Sequence, residues 1–137
     1  FGAAYVHATY TDFIDPIRGD FKGNRLDKAP RLQMTGRATY GFNLSDDWAG
    51  RIGADFSYQS KVYFSAVNAE PMAAGRHGEI NLNAGAEHSS GVDLSLFVRN
   101  VANKRYRVDM NDLSSLGFYF PVYNEPRTYG MTLRYKM

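Results

Sequence analysis

The chain has 137 residues and a formal net charge of +2, and its 16 Lys and Arg are scattered singly, so the basic stripe that a nucleic-acid binder requires is missing. It contains no cysteine, which excludes disulfides and thiolate metal sites. Ten Tyr and nine Phe against a single Trp favour strands over helices, and no apolar run approaches the ~20 residues of a membrane helix.

Mean hydropathy is negative. A membrane stays open all the same, because a barrel strand shows the bilayer only every second residue. The chain opens on Phe1, directly in strand-like sequence and with no basic, apolar leader, so it reads as cut at its front.

In chain order, 1–12 is strand-like through Tyr5, Val6, Thr9, Tyr10 and Thr11, with faces poorly distinguished, and a long link follows over 13–30. From Leu32 the apolar residues recur with a period of two: Leu32, Met34, Gly36, Ala38, Tyr40, Phe42 and Leu44 alternate with Gln33, Thr35, Arg37, Thr39, Gly41 and Asn43. Ser45, Asp46 and Asp47 then make a tight turn, so the two carboxylates read as turn chemistry rather than as a metal site. A third strand sets Trp48, Gly50, Ile52, Ala54, Phe56 and Tyr58 against Ala49, Arg51, Gly53, Asp55, Ser57 and Gln59. After a link over 65–76, Ile80, Leu82, Ala84 and Ala86 alternate with Glu79, Asn81, Asn83, Gly85 and Glu87. Ser89, Ser90 and Gly91 turn the chain tightly into Val92, Leu94, Leu96 and Val98, opposed by Asp93, Ser95 and Arg99, with Phe97 alone out of phase. A last long link over 108–125 leads to Tyr129, Met131, Leu133, Tyr135 and Met137, alternating with Thr128, Gly130, Thr132, Arg134 and Lys136.

Six strands joined long, short, long, short, long make an all-β antiparallel meander with its long loops at one end. Tight turns at one end and extended loops at the other are the asymmetry of outer-membrane barrels. Every charged residue in the five well-phased strands falls on the wet face, where Arg37, Arg51, Asp55, Glu87 and Arg99 would line a lumen. On the oily face, Tyr40, Phe42, Trp48 and Tyr135 lie beside the tight turns and Phe56, Tyr58 and Tyr129 towards the long loops. Trp48 to Tyr58 covers roughly 33 Å of strand, or about 23 Å of membrane normal at a 45° tilt, which fits an apolar band between two aromatic girdles. Six strands are fewer than the ~8 that close a barrel, so more are expected to precede Phe1.

Residues 98–106, Val-Arg-Asn-Val-Ala-Asn-Lys-Arg-Tyr, resemble the asparagine-containing segment of the penultimate strand in TonB-dependent receptors, and 126–135, Pro-Arg-Thr-Tyr-Gly-Met-Thr-Leu-Arg-Tyr, resemble their terminal strand. The stretches 25–31 and 55–64 echo the same family, in the family's order. The resemblance implies the C-terminal part of a plugged barrel of about 22 strands in the bacterial outer membrane, importing a scarce nutrient, often a ferric siderophore, with energy delivered through TonB. It implies contact with outer-membrane lipid, and with a plug domain and TonB through regions outside this stretch. The alternating terminal strand would be read by the barrel-assembly machinery, although Met137 stands where the family usually has Phe.

No residues are expected to be catalytic, to bind a cofactor or to hold a metal: His7, His77 and His88 fall on separate segments, with His77 in a long loop and His88 beside a tight turn. The loop most suited to ligand contact carries Asp109, Asn111, Asp112, Phe118, Tyr119, Phe120, Pro121 and Tyr123, whose aromatics could equally be hairpin walls raised above the membrane. Three other readings stay open: a passive porin, a membrane hydrolase, for which no Ser has a matched His and carboxylate, and a soluble β-sandwich, which would have to pack its oily faces on each other.

Overall fold

The computed structural model describes residues 1–136. In chain order the strands are β1 (Gly2–Tyr5), β2 (Ile14–Asp15), β3 (Gly19–Asp20), β4 (Leu32–Asn43), β5 (Trp48–Gln59) and β6 (Val62–Tyr63). They continue as β7 (Ala73–Ala74), β8 (His77–His88), β9 (Val92–Arg99), β10 (Arg107–Leu113), β11 (Phe118–Tyr123) and β12 (Thr128–Tyr135). Six of them form one antiparallel sheet in the order β1-β4-β5-β8-β9-β12, and the others pair as three small hairpins, β2-β3, β6-β7 and β10-β11. Each small hairpin lies within or beside one of the long links, and the links over 13–30 and 108–125 are therefore ordered structure rather than plain loop.

The register carries the alternation across the sheet without a slip between neighbours. Ala38, Ala54, Leu82, Val98 and Tyr129 lie opposite one another in turn, as do Tyr40, Ile52, Ala84, Leu96 and Met131. Between these apolar rows, and pointing the other way, runs a row of Thr39, Gly53, Asn83, Phe97 and Gly130, and beyond them one of Gly41, Arg51, Gly85, Ser95 and Thr132. A shift of one residue on any strand would move its apolar set to the charged face, so the coherence of the rows fixes the pairing.

At Gly36 and Gly130 an aromatic ring of the neighbouring strand leaves no room for a Cβ. The ring of Phe56 lies over Gly36, and that of Phe97 over Gly130, where a Cβ would come within 2.6 Å of the Phe97 ring. Phe97, out of phase in the sequence, thus fills the notch over Gly130 on the charged face, and the guanidinium of Arg99 lies 5.2 Å from its ring centre.

The sheet has no packed core of its own. Ile52, Ile80, Leu82, Leu96, Met131 and Leu133 stay exposed on the apolar face, and no element among the described residues covers them. The buried apolar side chains, Phe21, Val62, Met72, Ala73, Ala74 and Met110, all belong to the loop end. A sandwich would show the opposite pattern.

The structure departs from the sequence reading at both termini of the sheet and at one histidine. The first strand ends at Tyr5, not near Asp12, because the chain facing it leaves the ladder's register beyond Arg31. Val6 still bonds Arg31, and the pairing resumes with its register displaced: Leu26 donates to Ala8, and Thr9 bridges Arg25. Lys28, at φ 54°, takes up the offset. His77 opens β8 instead of lying in a loop, and is held there by the Gly75 carbonyl at 3.0 Å and by the Tyr106 ring stacked 3.9 Å away. The last strand ends at Tyr135, Lys136 donates to the Gly91 carbonyl, and Met137 lies outside the described residues.

Candidate functional site

Two surfaces carry the chemistry: the charged face of the sheet and the loop cluster that leans over its upper end. On the charged face Arg37 pairs with Asp55 directly across the β4-β5 ladder. Arg51 reaches Asp93 at 2.7 Å and the Ser95 hydroxyl at 2.6 Å, and Lys136 lies 3.5 Å from Glu87. Of the five wall residues singled out in the sequence, four are therefore joined in ion pairs, and Arg99 stacks on Phe97 instead.

On the opposite face Tyr40 and Phe42 stack 5.9 Å apart, and Trp48 meets His88 edge-on at 4.8 Å, all near the tight turns. Tyr135 ends β12 near the same turns. Phe56, stacked with Phe1 at 6.2 Å, lies towards the loop end with Tyr58 and Tyr129.

The loops join the sheet through an asparagine knot. Asn100 is 2% exposed at φ 48°, a left-handed conformation that Asn tolerates better than most residues. Its amide nitrogen donates to the Lys104 and Glu125 carbonyls, its amide oxygen accepts from the Lys104 N–H, and its backbone N–H donates to the Asn81 side chain. Asn103, at φ 49°, accepts from the Arg127 N–H, and Asn124 accepts from the Tyr106 N–H while donating to the Lys104 and Glu125 carbonyls. The knot is what the asparagine-containing segment builds: it ties the end of β9 to the start of β12 under the β10-β11 hairpin.

Tyr106 donates its hydroxyl to Glu79 at 2.8 Å, and burial, followed by that carboxylate, pushes its pKa up to about 12. Because His77 and Glu79 both belong to the charged face, the Tyr106 contacts set the loop cluster over that face and not over the apolar one.

The structure separates the expected ligand-contact residues into two groups. Asp109 accepts from Lys28 at 3.0 Å, which, with the Met110 N–H, holds its carboxyl below the ordinary range. Asp112 is lowered by the Ser114 hydroxyl and N–H, and it also meets Arg18 at 3.1 Å. These carboxylates clasp the first loop to the third. Asn111 pairs across the hairpin with Phe120, and Leu113 with Phe118, on a side left open to solvent, whereas Met110 is buried. Tyr119 stands opposite Asp112, Pro121 opposite Met110, and Tyr123 opposite Arg107 with the Arg105 guanidinium 4.8 Å from its ring. The cations that engage the carboxylates, Arg18 and Lys28, escaped the sequence reading because their partners lie 94 and 81 positions along the chain (112 − 18 and 109 − 28).

Among the described residues no group of three or more His, Asp or Glu could hold a metal, and no helix is long and apolar enough to cross a membrane. Residues 1–101 match the family described as TonB dependent receptor-like, beta-barrel. Among solved structures, the ferric yersiniabactin uptake receptor FyuA from Yersinia pestis matches with a TM-score of 0.75 at 19% identity. The match covers 84% of this chain and 17% of that one, and at this identity the likeness is one of fold. No curated relative matches the chain.

Proposed function

Since this chain belongs to the TonB dependent receptor-like β-barrel family, whose members are outer-membrane transporters and receptors, we propose that it supplies wall and outer loops to a transporter that imports a scarce nutrient. The cargo in this reading is a ferric siderophore or a similar iron complex, for which the fold shared with a ferric yersiniabactin receptor gives support. Energy arrives through TonB, and a plug domain and the remaining strands come from the rest of the protein. The terminal strand, alternating through Met131, Leu133 and Tyr135, is the segment that the barrel-assembly machinery would bind.

One observation carries the reading: the sheet has an apolar face that no element among the described residues covers and a charged face crossed by ion pairs, with the loops bent over the charged one. A wall between lipid and an aqueous lumen needs those two faces. The girdle residues Tyr40, Phe42, Trp48, Phe56, Tyr58, Tyr129 and Tyr135 then sit at the two membrane interfaces, and Arg37, Arg51, Asp55, Glu87 and Arg99 face the lumen.

The test is uptake of a radiolabelled iron complex by cells producing the complete protein, with and without TonB. Accumulation that disappears without TonB is the expected result. Uptake that persists at full rate would make the protein a passive pore.

A further inference from the structure

Between the second and third loops lies a cleft of about 620 Å³, within the ~300–1,000 Å³ of small-molecule sites. Lys61, Arg76, Arg105 and Arg107 line it, and the single carboxylate among its lining residues is Glu70. Glu70 is already engaged by Lys61 and lies 3.3 Å from the Tyr63 hydroxyl. Arg107 donates to the Pro71 and Ala73 carbonyls at 3.1 and 2.9 Å, which fixes its guanidinium at the cleft wall. Arg105 is stacked on Tyr123, and neither Arg76 nor Arg105 has a carboxylate within ion-pair distance among the described residues.

With Lys61 paired to Glu70, three arginines in the cleft are left without a carboxylate in its lining, and their mutual repulsion favours an anion among them. The loops do not lack acid: Asp109 and Asp112 are turned to Lys28 and Arg18 instead. Glu79, outside the cleft lining, is taken by the Tyr106 hydroxyl. The cleft is thus built positive, with two arginine forks held in place, one by backbone carbonyls and one by an aromatic ring. Such forks match oxyanions, carboxylate and phosphate alike, through paired N–H donors.

The geometry points to a binding site for a small, multiply anionic ligand rich in negatively charged oxygen, held by Arg76, Arg105 and Arg107. It rests on the transport reading and narrows its cargo to an anion. A dissolved ligand is favoured over a lipid headgroup, because Tyr106 lines both this cleft and the groove that continues over the charged face past Gln33, Ser57 and Gln59, so the cleft opens above the lumenal side.

The experiment measures binding to the complete purified receptor by titration calorimetry, using ferric citrate and a ferric tris-catecholate as anionic probes, ferrioxamine B as a cationic one, and detergent-dispersed lipid A. At least one anionic iron complex should bind, more weakly as salt rises, and Arg76→Gln with Arg105→Gln should lose about tenfold or more in affinity. Lys22→Gln, a charge removed from the first loop outside the cleft, should change nothing. Binding of ferrioxamine B alone, arginine-dependent binding of lipid A alone, no binding of any probe, or equal losses in both variants would each overturn the site. TonB-dependent uptake that survives the arginine changes would refute the cleft and leave the transport reading standing.

Discussion

The sheet and the loop cluster are held together by different means. In the sheet, long ladders of twelve-residue strands leave nearly every side chain on one of two open faces, and among the spanning strands β4, β5, β8, β9 and β12 only Gly50 is buried. In the loop cluster the strands are short, yet Phe21, Val62, Met72 and Met110 are buried and the loops are cross-linked by Lys28-Asp109, Arg18-Asp112 and the Asn24, Arg25 and Asn68 contacts. The sheet therefore depends on its surroundings for apolar contact, while the loops supply their own. Changes in the two regions should have separable effects.

The largest effect is expected on the sheet. In the complete protein, Ile52→Arg puts a cation mid-strand on the apolar face, at ~2 to 4 kcal/mol, and should lower the yield of heat-modifiable barrel in outer-membrane fractions. Arg51→Ile, one residue along, strands Asp93 on the wet face and should reduce the yield less. Next comes the loop core: Met72→Ala should cost about 2 kcal/mol, near the low end for a buried Met because a loop cluster can collapse around the gap. Its signature is faster proteolysis of the loops with the barrel still heat-modifiable, and loss of the barrel itself would erase the distinction between the regions.

Asn100→Ala acts where the two regions join. It leaves the Lys104 N–H without its partner, leaves the Lys104 and Glu125 carbonyls with Asn124 alone, and places Ala at a positive φ, for about 1 to 2 kcal/mol. Protease nicks should appear near 103–125 before any change in the sheet. The smallest effect is one of pH. The Asp109 carboxyl is lowered by Lys28, so its contribution to docking the first loop is complete above the ordinary value of 3.8 and fades as pH falls through the lowered one. Asp109→Asn should remove that share of the acid-induced loosening, read as protease sensitivity of 13–30, and an unchanged acid response would dissociate the clasp from loop docking.

The same contrast explains what could be read in advance. A period of two places strand ends closely: 48–59 and 92–99 were expected and Trp48–Gln59 and Val92–Arg99 are observed, because each strand satisfies its faces locally. It fails for the first segment, where a register displacement on the partner decides the outcome, and for β2, β3, β6 and β7, two-residue strands too short to show a period. The wall residues were legible as a face but not as pairs, since the Arg51-Asp93 partnership depends on register across β5, β8 and β9. The basic cleft left no local signal: Lys61, Arg76, Arg105 and Arg107 are scattered in sequence and converge only when the second and third loops meet.

The most direct measurement is spin-label accessibility along β5 of the complete protein in bilayers, using Gly50→Cys, Arg51→Cys, Ile52→Cys, Gly53→Cys, Ala54→Cys and Asp55→Cys in turn. The account predicts a period of two, with positions 50, 52 and 54 relaxed by oxygen dissolved in lipid and 51, 53 and 55 by a water-soluble nickel chelate. Accessibility without alternation, or oxygen exposure at 51, 53 and 55, would contradict it.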